Sequence, residues 1–198
     1  MGLEARMPPL HPDLDASDNE ASSSGEAAAQ LPALTAMPTA YPGCCLALSE
    51  SLIGYLGSLL PQPPSLALSI GSGFGLLESY LIVQPHAHHV IGVEVEPSSN
   101  QYLPPSNHRV VHGSRFLAPL AAEATTWLFV YPRRVGLLRE YLAEHGEGSV
   151  KRGIWAGPKA DWDDYKACFA GWHVEEQSAD QVGGRAWELI AVANRASP

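Results

Sequence analysis

The chain has few basic residues. It carries 12 lysines and arginines against 21 aspartates and glutamates, and its formal net charge is −9. A protein that binds a nucleic-acid backbone needs a cluster of cations, and the sequence shows no basic stripe of this kind. No apolar run reaches the roughly 18 to 20 residues that a membrane-spanning helix needs. We therefore expect neither a nucleic-acid partner nor a membrane.

Cysteine is scarce as well. Cys44, Cys45 and Cys168 form an odd set without the spacing of a metal site or a disulfide framework, so no metal is expected. The first residues are acidic and contain prolines, and they lack the basic and then apolar layout of a secretory signal. Reduced thiols are typical of the cytosol, and we expect a cytoplasmic protein.

Residues 1–40 contain little apolar sequence. Five prolines, a run of serines and six acids against one arginine leave too little burial to offset the entropy of ordering. We expect a disordered acidic and proline-rich tail over 1–40 and one folded domain over 41–198, a length that suits a single core. Within the domain, Leu46, Ile53, Leu56 and Leu60 predict a helix over 41–60 that Pro61 ends.

The segment Leu66–Val83 has the clearest local pattern. An apolar run ends abruptly at Gly71-Ser72-Gly73-Phe74-Gly75, and apolar residues then recur at helical spacing from Leu76. This order predicts a buried strand, a tight turn and a helix. Glycine lets the backbone take a positive φ and approach a ligand closely. A ligand-binding turn is the favoured interpretation, and a glycine-rich β–α turn without a ligand is the alternative.

The spacing of the glycines separates two families of ligand. The dinucleotide fingerprint is G-x-G-x-x-G, and Leu76 stands where its third glycine belongs. The observed G-x-G-x-G after an apolar strand resembles the first motif of the class I S-adenosylmethionine (SAM)-dependent methyltransferases. The resemblance implies SAM as the cofactor and four residues of the turn as contacts to it: Gly71, Ser72, Gly73 and Gly75.

The end of the chain supports the same family. Segments 172–177 and 186–193 read as strands joined by a short loop with Gly183 and Gly184, which leaves no room for a crossover helix. Such strands pair antiparallel. Strands near 90–96, 109–112, 126–130 and 150–155 alternate with helices, including one that Asp161 is expected to cap. We expect an α/β fold: a three-layer Rossmann-like methyltransferase sheet, mostly parallel, with a C-terminal antiparallel hairpin.

An acid follows the second strand of this sheet. Glu94 lies near the 20-residue offset from the first glycine at which a carboxylate reaches a ribose. In the resembled family the matching position is the acid of a G-V-[DE] turn, and the next residue, here Val95, lies against the adenine. Glu96 is the competitor for the ribose role, because strand alternation turns it to the same side as Glu94.

Three positions that are often acidic in the resembled family are not acidic here. Ser69 stands in the first strand, where an acid commonly orients the methionyl amine. Ser114 stands where an acid often accepts from the adenine amino group, and we expect it to make this contact more weakly. Thr126 stands at the start of the fourth strand. Each missing charge-assisted bond removes about 1.5–3 kcal/mol of interaction.

Tyr131 ends the fourth strand, whose tip usually faces the transferred methyl group in this family, so it is the candidate substrate contact. Arg133 and Arg134 then stand at a helix N-terminus, where cations oppose the macrodipole, and an anion is one explanation for them. Solvation or a salt bridge is the other. Tyr41 either walls the cofactor pocket or packs on the fold.

Histidines occur at two places. His86, His88 and His89 lie between a helix and the next strand, on the face away from the ligand crevice, and no Cys or carboxylate stands nearby at useful spacing. We do not expect them to bind a metal. His112, near the end of the third strand, is either catalytic or structural.

Three functions remain open. The first is SAM-dependent methyl transfer, with a small-molecule oxygen or nitrogen acceptor favoured and a large or macromolecular acceptor left open. The second is a methyltransferase-like protein that does not catalyse and acts as a binding module or as the partner of an active subunit, which the missing acids motivate. A protein partner or a homo-oligomer is left open. The third is a nicotinamide-dependent oxidoreductase, which Leu76 and the terminal hairpin disfavour.

Overall fold

The computed structural model describes residues 29–113, 115 and 117–196. In these residues seven strands form one mixed sheet in the order β5-β4-β3-β6-β7-β9-β8. The five parallel strands are β3 (Ala67–Ile70), β4 (Val90–Val95), β5 (His108–Val111), β6 (Thr126–Val130) and β7 (Arg152–Pro158). The strand order runs outward in both directions from β3, which therefore marks the point where the winding reverses.

The last two strands run as the short loop between them requires. β9 (Glu188–Arg195) lies antiparallel to both β7 and β8 (Trp172–Ser178). The loop holds a single 3-10 turn, Ala179–Val182, followed by Gly183 at φ +94°. The predicted α/β sheet, mostly parallel and finished by an antiparallel hairpin, is confirmed.

Helices cover both faces of the sheet. The α-helices in the described part of the chain are α1 (Glu50–Leu59), α2 (Leu76–Ile82), α3 (Val135–His145) and α4 (Trp162–Lys166). Successive side chains of a strand point to opposite faces of the sheet. In β6, Leu128 packs in the hydrophobic cluster with α1 and α2, and Trp127 and Phe129 pack in the cluster with α3 and α4. None of these helices combines the length and apolar character needed to cross a membrane.

The predicted helix over 41–60 is wrong over residues 41–49, nearly half of its length. β1 (Thr39–Tyr41) and β2 (Cys44–Leu48) form an antiparallel hairpin, and α1 begins only at Glu50. The Pro42-Gly43 turn closes the hairpin, with Gly43 at φ +73°. The consecutive burial of residues 46–48 suits a strand covered on both sides. The hydroxyl of Ser49 then accepts a hydrogen bond from the Leu52 amide and starts the helix.

The expected boundary at residue 40 falls inside β1, and the described residues before it contact the domain. Tyr80 donates a hydrogen bond to the carbonyl of Pro32, and the amide of Glu50 donates to Thr35 at 3.1 Å. Leu31 and Leu34 pack against the cluster of α1 and α2. Residues 29–40 are therefore not a disordered tail, whereas residues 1–28 lie outside the described residues.

Asp161 was also expected to cap the helix that follows it. Its side chain makes no capping hydrogen bond, and its backbone is already helical at φ −90° and ψ −15°. A 3-10 turn over Lys159–Asp161 leads directly into α4. The helix therefore begins by continuing an existing turn, which leaves no extended residue for a side-chain cap.

Candidate functional site

A cavity of about 630 Å³ opens at the carboxyl ends of β3, β4 and β6. Its walls come from the turn after β3, the ends of β4 and β6, the start of α3 and the β1–β2 hairpin. In doubly wound sheets ligands bind outside the carboxyl ends of the strands, where the winding reverses. The cavity occupies that place.

The glycine turn forms one wall of this cavity. Gly71, Gly73 and Gly75 have φ of +80°, +57° and +76°. At Gly75, a side chain would be both strained and blocked, because its Cβ would lie 2.7 Å from Oδ1 of Asn100. The amides of Gly71 and Ser72 donate to the Val93 carbonyl, so these two residues shape the wall with their backbone amides already in use.

Glu94 reaches across from β4 to the same turn. Its Oε2 accepts a hydrogen bond of 2.7 Å from the amide of Gly73, and its Oε1 accepts one of 2.8 Å from the amide of Val95. Both Glu94 and Val95 line the cavity. The two bonds fix the carboxylate at the mouth of the turn and leave each oxygen with further acceptor capacity.

The competing acid Glu96 takes a different position. Strand β4 ends at Val95, so the alternation that was expected to align Glu96 with Glu94 no longer applies. The Glu96 carboxylate lies 2.5 Å from Nδ1 of His112, and both side chains are largely exposed. Neither residue lines the cavity. His112 is thus placed as the partner of a surface acid.

Tyr131 follows β6 and lines the cavity with an unusual backbone. Its φ is +48°, a conformation that non-glycine residues rarely adopt and that clusters at functional sites. Its hydroxyl donates at 2.8 Å to Oε1 of Glu188, which is fully buried. Burial, and then this carboxylate, raise the pKa of Tyr131 further above its usual range. The phenol therefore keeps its proton at neutral pH and cannot act as a general base.

Glu188 is held on every side. Its Oε1 also accepts from the amide of Ala47 at 3.2 Å, and its Oε2 accepts from the amide of Arg185 at 3.0 Å. The carboxylate thereby joins β9 to the β1–β2 hairpin and to the loop before β9. Three donors thus satisfy the oxygens of a buried carboxyl group, which would be costly to leave without partners.

Glu78 is a site residue that sequence reasoning missed. It lies on α2 and lines the cavity, yet it is only 2% exposed. Its Oε1 accepts a hydrogen bond of 2.5 Å from the hydroxyl of Ser69, and burial raises the pKa of its carboxyl to about 7. One signal was available: the helix is apolar on nearly all sides, and such a helix is buried together with any acid it carries.

The β1–β2 hairpin closes one side of the cavity. Gly43, Cys44 and Cys45 line it, and the ring of Phe74 occupies the space that a Cβ on Gly43 would need, at 2.1 Å. Burial raises the pKa of the Cys44 thiol to about 12, which makes it a poor nucleophile. Tyr41 packs on the fold and donates to the carbonyl of Ala33, so the packing interpretation describes it.

Of the remaining candidates, two arginines line the cavity, and the others lie away from it or outside the described part of the chain. Ser114 lies outside the described residues. Arg133 and Arg134 both line the cavity, and Arg134 also pairs with Glu140 at 2.8 Å. His88 and His89 contact the carbonyls of Pro61 and Pro64. Among the described residues no group of three His, Cys, Asp or Glu side chains could hold a metal ion.

The sheet order and the cavity define a three-layer α/β protein with a ligand-sized opening at its switch point. The particular fold is that of the class I SAM-dependent methyltransferases, as a comparison with solved structures shows. Comparisons with protein-family models and with curated protein sequences give no match.

Three solved structures illustrate the likeness. Precorrin-6y C5,15-methyltransferase from Geobacter metallireducens has a TM-score of 0.55 at 12% identity, over 84% of this chain and 100% of that one. A Haloferax volcanii putative methyltransferase, solved with the Trm112 activator, has 0.53 at 13%, over 75% and 90%. Human N-acetylserotonin methyltransferase, solved with SAM, has 0.52 at 14%, over 74% and 51%. At these identities the likeness establishes the fold.

Proposed function

We propose that the cavity binds SAM and that the protein transfers its methyl group to a small-molecule oxygen or nitrogen acceptor. The observation that carries the proposal is the Glu94 carboxylate, which stands at the cavity wall opposite the glycine turn at the switch point of the sheet. Three cysteines without disulfide partners accord with a cytoplasmic location, which is part of the proposal.

The residues present fit an adenosine. The cavity volume of about 630 Å³ lies within the roughly 300–1,000 Å³ of small-molecule sites. Glu94 would accept hydrogen bonds from the ribose hydroxyls through the acceptor capacity that Gly73 and Val95 leave free. Val95, whose side chain packs partly into the core, would form an apolar surface for the adenine.

Methyl transfer from SAM needs little general acid–base catalysis from the protein. SAM supplies a methyl group on a sulfonium sulfur, which is already electrophilic. What this chain contributes is orientation and the exclusion of water, and such positioning can lower a barrier by several kcal/mol. Tyr131 offers a rigid aromatic wall, because Glu188 holds its hydroxyl and the strand end fixes its backbone. The acceptor must lose its proton to a group other than this phenol.

Calorimetric titration of SAM into the purified protein and two matched variants tests the proposal. Glu94→Ala removes the ribose acceptor, and Glu96→Ala removes an exposed acid two residues away that does not line the cavity. We expect the first to weaken SAM about ten- to a hundredfold and the second to change it less than about twofold. Glu94→Gln keeps one oxygen that can accept from the Gly73 amide, and it replaces Glu94→Ala in the test if that variant does not fold.

Two results would overturn the proposal. One is a wild-type protein that gives no heat with SAM at high micromolar concentration. The other is equal SAM affinity in Glu94→Ala and wild type. Incubation with methyl-labelled SAM and pools of small hydroxyl- and amine-bearing compounds then tests catalysis, read as label transferred to the acceptor pool by mass spectrometry.

A further inference from the structure

One oxygen in the cavity wall has no partner in the described part of the chain. Glu78 is the third residue of α2, and its side chain lies inside the protein beside β3. Ser69 satisfies Oε1, whereas Oε2 is buried without a hydrogen bond. Buried polar atoms almost always find partners, and Glu78 belongs to the lining of a ligand-sized cavity, so a ligand bound there can supply the donor that Oε2 lacks.

The charges around Glu78 define what kind of donor fits. Two ionisable groups interact with the Glu78 carboxyl. Glu94 on β4 raises the pKa of Glu78, and Glu78 raises the pKa of the Cys44 thiol on β2. Both are acidic groups, and Ser69 on β3 is neutral. None of the ion pairs between described residues includes Glu78. A buried carboxylate among acids needs a cation to be stable in its charged form.

We infer that Oε2 of Glu78 accepts a hydrogen bond from the ammonium group of the ligand's amino-acid portion. The inference rests on the proposed function, because the methionine part of SAM carries that ammonium. Of the two cationic groups of SAM, the ammonium has three N–H donors and the sulfonium has none, so the ammonium, and not the sulfonium, can satisfy an oxygen that lacks a hydrogen bond. The cavity then recognises its ligand at two places: Glu94 accepts hydrogen bonds from the ribose hydroxyls, and Glu78 accepts one from the ammonium group.

Glu78 also accounts for Ser69. The strand position of Ser69 is often acidic in the resembled family, and its serine was counted above as a lost contact. In this structure the carboxylate comes from the neighbouring helix and ends 2.5 Å from that serine hydroxyl. Ser69 is then a positioning residue, since its donated hydrogen bond fixes Oε1 and leaves Oε2 for the ligand.

Titration with three ligands separates this role from a structural one. SAM carries ammonium and sulfonium, S-adenosylhomocysteine carries the ammonium alone, and deaminated S-adenosylhomocysteine carries neither. We expect Glu78→Gln to weaken the first two ligands equally, about ten- to a hundredfold, and to leave the third within about twofold. Ser69→Ala should weaken the first two by a smaller factor. Glu96→Gln, at an exposed acid, should leave all three unchanged.

Each other outcome is decisive. An equal loss for all three ligands would show a structural role, and a loss for SAM alone would place the sulfonium at Glu78; either overturns the inference and leaves SAM binding intact. Undiminished affinity in Glu78→Gln does the same. A wild-type protein that binds none of the three overturns the proposed function itself, and this inference with it.

A measurement on the unmodified protein covers the case in which Glu78→Gln does not fold. Titration at pH 7 in two buffers of different ionisation enthalpy reports protons exchanged on binding. S-adenosylhomocysteine should release protons from Glu78, up to about half a proton per site, because a nearby cation favours the carboxylate. Its deaminated counterpart should release none from this group. Equal release by both ligands would overturn the inference.

Discussion

The carboxyl of Glu78 should make the stability of the ligand-free protein depend on pH. Burial raises its pKa from 4.5 to about 7, so between these values the folded protein retains a proton that the unfolded chain releases. The free energy of unfolding therefore falls as pH rises through this window. At about 1.4 kcal/mol per unit, the loss contributed by this one group is about 3 kcal/mol.

Glu78→Gln removes the titration and keeps an oxygen that can accept from Ser69. Urea unfolding of wild type and variant from pH 4.5 to pH 8 measures the difference between their free energies of unfolding. We expect the variant to gain about 3 kcal/mol on wild type across this range, with most of the change below pH 7. Taking the difference cancels the titration of every group the two proteins share.

Glu123→Gln is the matched control, because Glu123 is exposed on the surface. Its free energy of unfolding should follow that of wild type at every pH. A difference between Glu78→Gln and wild type that stays constant with pH would refute the reasoning, because it would mean that Glu78 titrates alike in the folded and unfolded chains. Saturating SAM should flatten the wild-type curve if its ammonium stabilises the carboxylate.

Two further substitutions test other parts of the cavity wall. Gly43→Ala should weaken SAM binding and destabilise the fold, because the added Cβ would overlap the ring of Phe74. Gly171→Ala is the control: Gly171 has a similar positive φ, but an added Cβ would meet no described atom within 4 Å, so this variant should show the backbone strain alone. Equal losses of SAM affinity (calorimetry) and of stability (urea unfolding) in the two variants would exclude a contribution from the overlap. Tyr131→Phe should keep SAM affinity within about twofold and cost about 1 kcal/mol or more of stability, since only the bond to Glu188 is lost; a large loss of affinity would show that the hydroxyl itself contacts the ligand.

The sheet could be predicted from the sequence, because each strand is marked by a pattern within its own few residues. Runs such as Thr126–Val130 are apolar and β-branched or aromatic, glycines and prolines mark their ends, and the shortness of the last loop dictates an antiparallel pair. The hairpin at 39–48 escaped because a short apolar run such as Cys44–Leu48 has no period that separates strand from helix.

The site was harder to predict, because it depends on which way a side chain turns. Glu94 and Glu96 look equivalent in a strand pattern, and the end of β4 at Val95 separates them. Glu78 looks like an ordinary helical acid until β3 is packed beside it. The apolar surroundings of Glu78 on α2 indicate that it is buried, but its contact with Ser69 is a property of the tertiary structure that no local pattern encodes.

The docking of residues 29–38 bears on where this protein can be cut. A version that begins at residue 41, the boundary that composition suggests, would remove two of the three residues of β1. It would also remove the carbonyls that accept hydrogen bonds from Tyr80 and from the Glu50 amide. Such a version would also expose the apolar surface of the α1 and α2 cluster on which Leu31 and Leu34 pack. Because the same hairpin supplies Gly43 to the cavity wall, shortening the N-terminus would loosen the pocket from behind while leaving every pocket residue in the chain.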